Sequence, residues 1–174
     1  AEEATRQQNL VETTLRNVAQ ELISLSSFDD LSEMVLSAGK DLTGSRHGYV
    51  GSIDPATGNL IAHTFSRTIW ETCQVPNKDF VFDQFGGLWG WVLNHQAPLL
   101  TNNPSEDSRS TGAPQGHIPI SNFLSVPVVL QGKLVGQIAL ANSKRDYNDR
   151  DLEVVEQLGE LYALAIQRQE QENQ

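Results

Sequence analysis

Residues 123–142 carry the pattern that most narrows the fold. Phe123-Leu124-Ser125-Val126-Pro127-Val128-Val129-Leu130 reads as a strand, Gln131-Gly132-Lys133 as a turn, and Leu134 to Asn142 as the returning strand. The returning strand, LVGQIALAN, is apolar on both faces in places. Such a strand belongs in the middle of a sheet, with material packed over each side. Pro127 withholds one ladder donor, which places a bulge or an edge segment there.

Helical periodicity encloses this hairpin from both ends of the chain. Val11, Leu15, Val18, Leu22 and Leu25 recur at spacings of 4 and 3, with Leu10, Ala19 and Ile23 widening the stripe. Residues 1–27 therefore read as one helix, and the stripe suits the seam of a helical bundle or coiled coil. It equally suits a helix lying on its own domain. A second helix follows Ser27 or Asp30 as N-cap, buries Leu31, Met34, Val35, Ala38 and Leu42, and stops at Gly44. The last helix starts near Asn148 or Asp149 and repeats Val154, Leu158, Leu161 and Ala165, broadened by Val155, Tyr162 and Ile166. Its tail, QRQEQENQ, has no apolar face.

Between these elements the period falls to 2. Residues 47–53 and 60–65 read as two strands joined by the turn cluster DPATGN. Residues 66–85 have no clean period but are rich in bulky apolar side chains: Ile69, Trp70, Phe80, Phe82 and Phe85. Gly86-Gly87 opens a short helix that Pro98 ends, and Leu99-Leu100-Thr101 is a short strand. Residues 102–122 form a long polar loop, a length that in a compact domain points to function. The order α-α-β-β-(irregular)-α-β-(loop)-β-β-α describes an α+β domain with one antiparallel sheet.

Charge removes several partners. Lys plus Arg is 12 against 22 Asp plus Glu, a formal charge of −10, which repels nucleic acid and anionic lipid. No stretch is apolar and long enough for a transmembrane helix, and the polar start AEEATRQQN is not a signal peptide. The first residue is Ala, the start expected of a piece of a longer or processed protein. The single cysteine, Cys73, can form no internal disulfide, and a reducing, cytoplasmic setting is expected.

Two stretches then resemble a known family. Gly90-Trp91-Val92-Leu93 followed by Gln96-Ala97-Pro98-Leu99-Leu100-Thr101-Asn102 is similar to the helix-then-strand stretch of GAF domains. Residues 116–158, with G-H-x-P, F-L-x-V-P, a glycine turn, V-G-x-I and Y-x-x-x-D-L in order, resemble the C-terminal half of GAF sensor modules in bacterial and archaeal signalling proteins of the histidine-kinase type. The resemblance runs from about Gly86 to Ala165. It implies a GAF-like central antiparallel sheet with the N- and C-terminal helices on one face and a loop-walled pocket on the other. It also implies a two-component or related signalling protein that dimerises through those helices. The expected division is a signalling and dimerisation helix at 1–27, a sensor domain at 28–166 and an extension toward an output module at 167–174.

The two irregular segments supply the candidate ligand-binding residues Trp70, Cys73, Phe80, Phe82 and His117. The sharpest specific chemistry they allow is haem, with His117 as axial ligand and the aromatics flanking the macrocycle. The competing reading has Cys73 filling space and His117 hydrogen-bonding its loop. No HExxH, GxSxG or phosphate-binding glycine loop is present, and His47, His63, His95 and His117 are scattered. Reductases of this family that act on free methionine sulfoxide use several cysteines, so one thiol does not fit that chemistry. The expectation is therefore a non-catalytic module that senses an unidentified small molecule and relays its presence to an output domain in the same chain. A haem-based redox or gas sensor and a ligand-free dimerisation module are the alternatives.

Overall fold

The computed structural model describes residues 2–25, 27–65, 81–82, 87–107 and 120–172. In chain order these form α1 (Glu2–Ser24), α2 (Phe28–Thr43), β1 (Ser45–Ile53), β2 (Leu60–Phe65), β3 (Val81–Phe82), α3 (Gly87–His95), β4 (Leu99–Thr101), a 3-10 turn (Pro104–Glu106), β5 (Phe123–Leu130), β6 (Lys133–Ser143) and α4 (Asp149–Glu172). The strands make one sheet in the order β3-β2-β1-β6-β5-β4, and every neighbouring pair is antiparallel.

The hairpin that opened the sequence reading forms as expected. Leu130 pairs with Lys133, and Gln131 and Gly132 both take positive φ (53° and 79°), the conformation that matches a two-residue turn to the strand twist. β6 lies inside the sheet, and Val135 to Ala141 are all buried. Pro127 sits where β5 has run past the short β4, which reaches only as far as Ser125. Its missing N–H costs no ladder bond on that side, and the register shifts one residue later, between Val128 and Val129.

Local chemistry fixes the helix ends. Ser27 Oγ accepts from the Asp30 amide at 3.1 Å, which settles the choice of N-cap for α2. Gly44, at φ 72°, closes α2 by donating to the Lys40 carbonyl. At α4, Asn148 and Asp151 cap each other reciprocally, each side chain accepting the other's amide at 3.0 Å. Arg145 grips the same Asp151 carboxylate with both guanidinium nitrogens, at 2.6 and 2.8 Å. Two asparagines pin the flanks of the long polar loop to the β6–α4 connection. Asn102 exchanges two hydrogen bonds with the Tyr147 backbone, and Asn122 bonds the Ser143 amide and the Arg145 carbonyl.

The main core lies between the sheet and α2 and α4. Val50, Leu124, Val126, Val128, Ile138 and Leu140 meet Leu31, Val35, Leu36, Val155, Leu158, Tyr162 and Ile166. A buried polar pair joins α2 to α4 within this layer, Ser32 Oγ with Tyr162 Oη at 2.7 Å. α1 packs over α2 and α4, burying Val18 and Leu22. Leu10 and Ile23, read from the sequence as part of that stripe, instead stand 64% and 69% exposed. They fall on opposite flanks of the buried Val18–Leu22 stripe of α1, too far round the helix to be covered by α2 or α4. A second, smaller apolar cluster lies on the other face, where Val92, Leu88 and Trp91 of α3 pack over Leu99, Phe123, Ala139 and Ala141.

Gly48 sets how closely α2 can approach β1. A Cβ there would stand 2.6 Å from the Ala139 carbonyl oxygen and 2.9 Å from side-chain carbons of Leu36 and Leu140. Gly48→Ala should therefore overpack the main core and lower stability by roughly 1–3 kcal/mol, read as a lower urea midpoint with an unchanged slope. An unchanged midpoint would show that the layer has slack.

Candidate functional site

Because side chains alternate along a strand, β1, β6 and β5 turn a second set of residues away from α2 and α4. Register groups them in rows. His47, Ala141 and Phe123 form one, Tyr49, Ala139 and Ser125 the next, and Gly51, Gln137 and Pro127 the third. Ala141 and Ala139 in the middle of the first two rows leave the sheet surface low there, and Gly51 lowers one end of the third. Taller polar side chains rise beside them.

Those polar side chains form a directed chain of hydrogen bonds. Tyr49 Oη donates to Gln137 Oε1 at 2.6 Å, Gln137 Nε2 donates to Ser125 Oγ at 2.9 Å, and Ser125 Oγ donates to the Ile138 carbonyl at 2.9 Å. Gln137 and Ser125 are completely buried. Buried polar groups cost free energy unless paired, so this row is held in one arrangement by its own bonds. Burial pushes the Tyr49 phenol well above its usual range, which keeps it a neutral donor.

His47 lies at the end of the same face, 5% exposed, and its Nδ1 has no hydrogen-bond partner among the described residues. Burial lowers its pKa, and the nearby positive charges of Arg46 and Lys40 lower it further. The imidazole is therefore neutral at neutral pH, able to accept or donate one hydrogen bond according to tautomer. The face thus combines apolar surface from Phe123 and Trp91 with a few polar groups held in fixed positions. The Ser125 hydroxyl proton is committed to a backbone carbonyl and not to a base. Among the described residues no cluster of His, Cys, Asp and Glu is placed to hold a metal ion.

The expected site residues fare unevenly. Trp70, Cys73, Phe80 and His117 lie outside the described residues. Phe82 belongs to β3, paired with Leu60 at the outer edge of the sheet, and its side chain is also outside the description. His95 is occupied elsewhere: its ring stacks on Trp91 with centroids 4.4 Å apart, and its Nδ1 bonds the Trp91 carbonyl. The residues that sequence reasoning passed over are His47, Tyr49, Ser125 and Gln137. The readable signal was Gln137, an uncharged amide in the middle of a strand apolar on both faces. A shallow concavity of about 400 Å³ also lies beside Arg46, Ser121, Asn142, Ser143 and Lys144.

A buried neutral histidine makes stability depend on pH. The folded pKa lies below the unfolded value of 6.5, so the unfolded chain binds the extra proton first. The His47 contribution is present above pH 6.5 and is lost as pH falls through the folded pKa. Lowering the pH from about 7.5 to about 5.5 should reduce the urea midpoint, and His47→Gln should flatten that dependence. Equal slopes in the two proteins would show that His47 titrates as it does in water.

Comparison with known proteins follows the same geometry. A family model described as GAF domain matches residues 26–167. A protein of the archaeon Methanosarcina acetivorans named methyl sulfide methyltransferase-associated sensor is 26% identical over 149 residues, covering 84% of this chain. This chain spans only 15% of that protein's length. Among solved structures, the GAF domain of a phosphoenolpyruvate-protein phosphotransferase from Coxiella burnetii aligns with a TM-score of 0.78 at 16% identity, covering 94% of this chain and 96% of that one. Free methionine-R-sulfoxide reductase from Neisseria meningitidis, solved with its substrate, aligns with a TM-score of 0.73 at 11% identity, covering 94% and 92%. The fold is therefore one that sensors and at least one enzyme share, and GAF domains commonly act as sensory regulatory modules. With the family match spanning most of its length and the sheet and helix layers agreeing, this chain belongs to the GAF domain family.

Proposed function

We propose that the chain is a non-catalytic ligand-sensing module of a larger cytoplasmic signalling protein. The sheet face around Tyr49, Ser125, Gln137 and His47 is the floor of its pocket, and the ligand is a small molecule with both flat apolar and hydrogen-bonding surface. One observation carries this reading. The strands that bear the buried polar row also bear, on their opposite face, the core that holds α2 and α4. A ligand that shifts β5 or β6 must therefore disturb the helix layer, and its leverage equals its differential affinity for the two arrangements. Residues 1–27 act as the signalling helix, 28–166 as the sensor body and 167–174 as the lead toward an output domain of the same chain, in a histidine kinase or a related protein. The relative's name, which includes the word sensor, supports the same reading.

Two copies pair through the terminal helices. Leu10 and Ile23 on α1 and Leu164 on α4 are large apolar side chains left more than half exposed by the single chain. In a chain of charge −10, these are the surfaces on which a second copy gains most from burial. Native mass spectrometry of the gently purified chain should show a dimer carrying a non-covalent small molecule. Leu164→Glu should give monomers that keep the small molecule, because the substitution lies on the far side of the sheet from the pocket. A bare monomer from the unmutated chain would contradict the proposal.

A further inference from the structure

Helix C-termini leave their last carbonyls without intrahelical donors and carry partial negative charge. α1 has no basic residue in its own last turn to meet that charge. The missing cation comes from α4. Arg168 Nη2 donates to the Leu22 carbonyl at 3.2 Å and to the Leu25 carbonyl at 2.8 Å, and Arg168 Nη1 donates to the Ile23 carbonyl. One guanidinium thus caps the end of a helix 143 residues or more earlier in the chain. Near the other end of the same pair, Arg150 Nη2 donates to Gln8 Oε1 at 2.7 Å. Gln8 meeting Arg150, and Leu22 to Leu25 meeting Arg168, means that α1 and α4 run parallel. The two attachments are roughly 25 Å apart at about 1.5 Å of rise per residue.

The two attachments are unequal. Arg150 to Gln8 is one bond between exposed side chains, whereas Arg168 reaches three backbone carbonyls of one turn. Backbone acceptors cannot change rotamer, so they define position as well as affinity. A planar fork can span several carbonyls in fixed geometry, and a lysine ammonium cannot. We propose that Arg168 is the positioning residue that locks the end of α1 to α4 in a single axial register. Rotation or sliding of α1 is thereby delivered to the last turns of α4 instead of being absorbed between the helices. The purpose of this clamp rests on the relay reading above; the clamp itself does not need a ligand.

The test uses the full chain with Cys73→Ser and spin labels on cysteines placed at the exposed positions Gln20 and Glu156. Diluted with an excess of unlabelled chain, so that each dimer carries one labelled copy, the parent should give one narrow distance distribution. Arg168→Ala and Arg168→Lys should both broaden it or displace it by about one helical turn, roughly 5 Å. Amides of residues 20–25 should exchange roughly tenfold faster or more. Amide signals of Ser125, Gln137 and Ala139 should stay in place, because the sheet does not depend on the clamp. Coincident distance distributions in all three proteins would overturn the proposal. Loss of the sheet signals in both variants would also overturn it, since Arg168 would then be a support of the whole fold. Failure of the sensing reading would show separately, as a purified chain with nothing bound.

Discussion

The structure depends on a strand that is buried on both of its faces. β6 gives Ile138 and Leu140 to the helix core and Gln137, Ala139 and Ala141 to the opposite side. A slip of one residue would turn Gln137 into the apolar layer and expose Ile138 to the polar row. Hydrophobic burial resists that slip from one side. The bonds among Tyr49, Gln137 and Ser125 resist it from the other, since the three side chains meet in one register only. Each face thus fixes the other, and a perturbation of either one is felt across the thickness of a single strand.

The helix layer is built in two tiers of different firmness. α2 and α4 are seated on the sheet, close enough that β1 needs a glycine at position 48, and they are joined to each other by the buried Ser32–Tyr162 bond. α1 is laid over them and attached through Val18, Leu22 and the contacts of Arg150 and Arg168. The inner tier can therefore keep the fold while movement of α1 is passed through the Arg168 clamp to the last turns of α4. This division suits a module whose business is to change helix arrangement without unfolding.

Much of this was legible in the residues. The central position of β6 followed from apolar character on both faces, and the ends of α2 followed from Ser27 and Gly44, residues whose chemistry suits caps. The fold class followed from the change of period along the chain. What could not be read came from side-chain partners distant in sequence. Tyr49 and Gln137 are 88 residues apart, and Arg168 is 143 residues from Leu25. Nothing in local periodicity announces such pairs. Leu10 and Ile23 were misassigned because an apolar residue beside a stripe looks the same in sequence whether a neighbour covers it or not. The candidate site was sought among the aromatics of residues 66–85 and at His117, while the described polar row sits on strands that were read only as core.

The central claim is that the two faces of β6 are mechanically coupled, and it can be tested without knowing the ligand. Ala139→Leu adds bulk to the middle of the polar face, beneath α3, and so perturbs that face alone at the outset. Two-dimensional amide spectra of the isotope-labelled chain should then show shifts that cross the sheet and reach Val155, Leu158 and Tyr162 on α4 and continue to Arg168. Shifts confined to Tyr49, Ser125, Gln137 and their neighbours on that face would contradict the account, because the helices would then be deaf to the site.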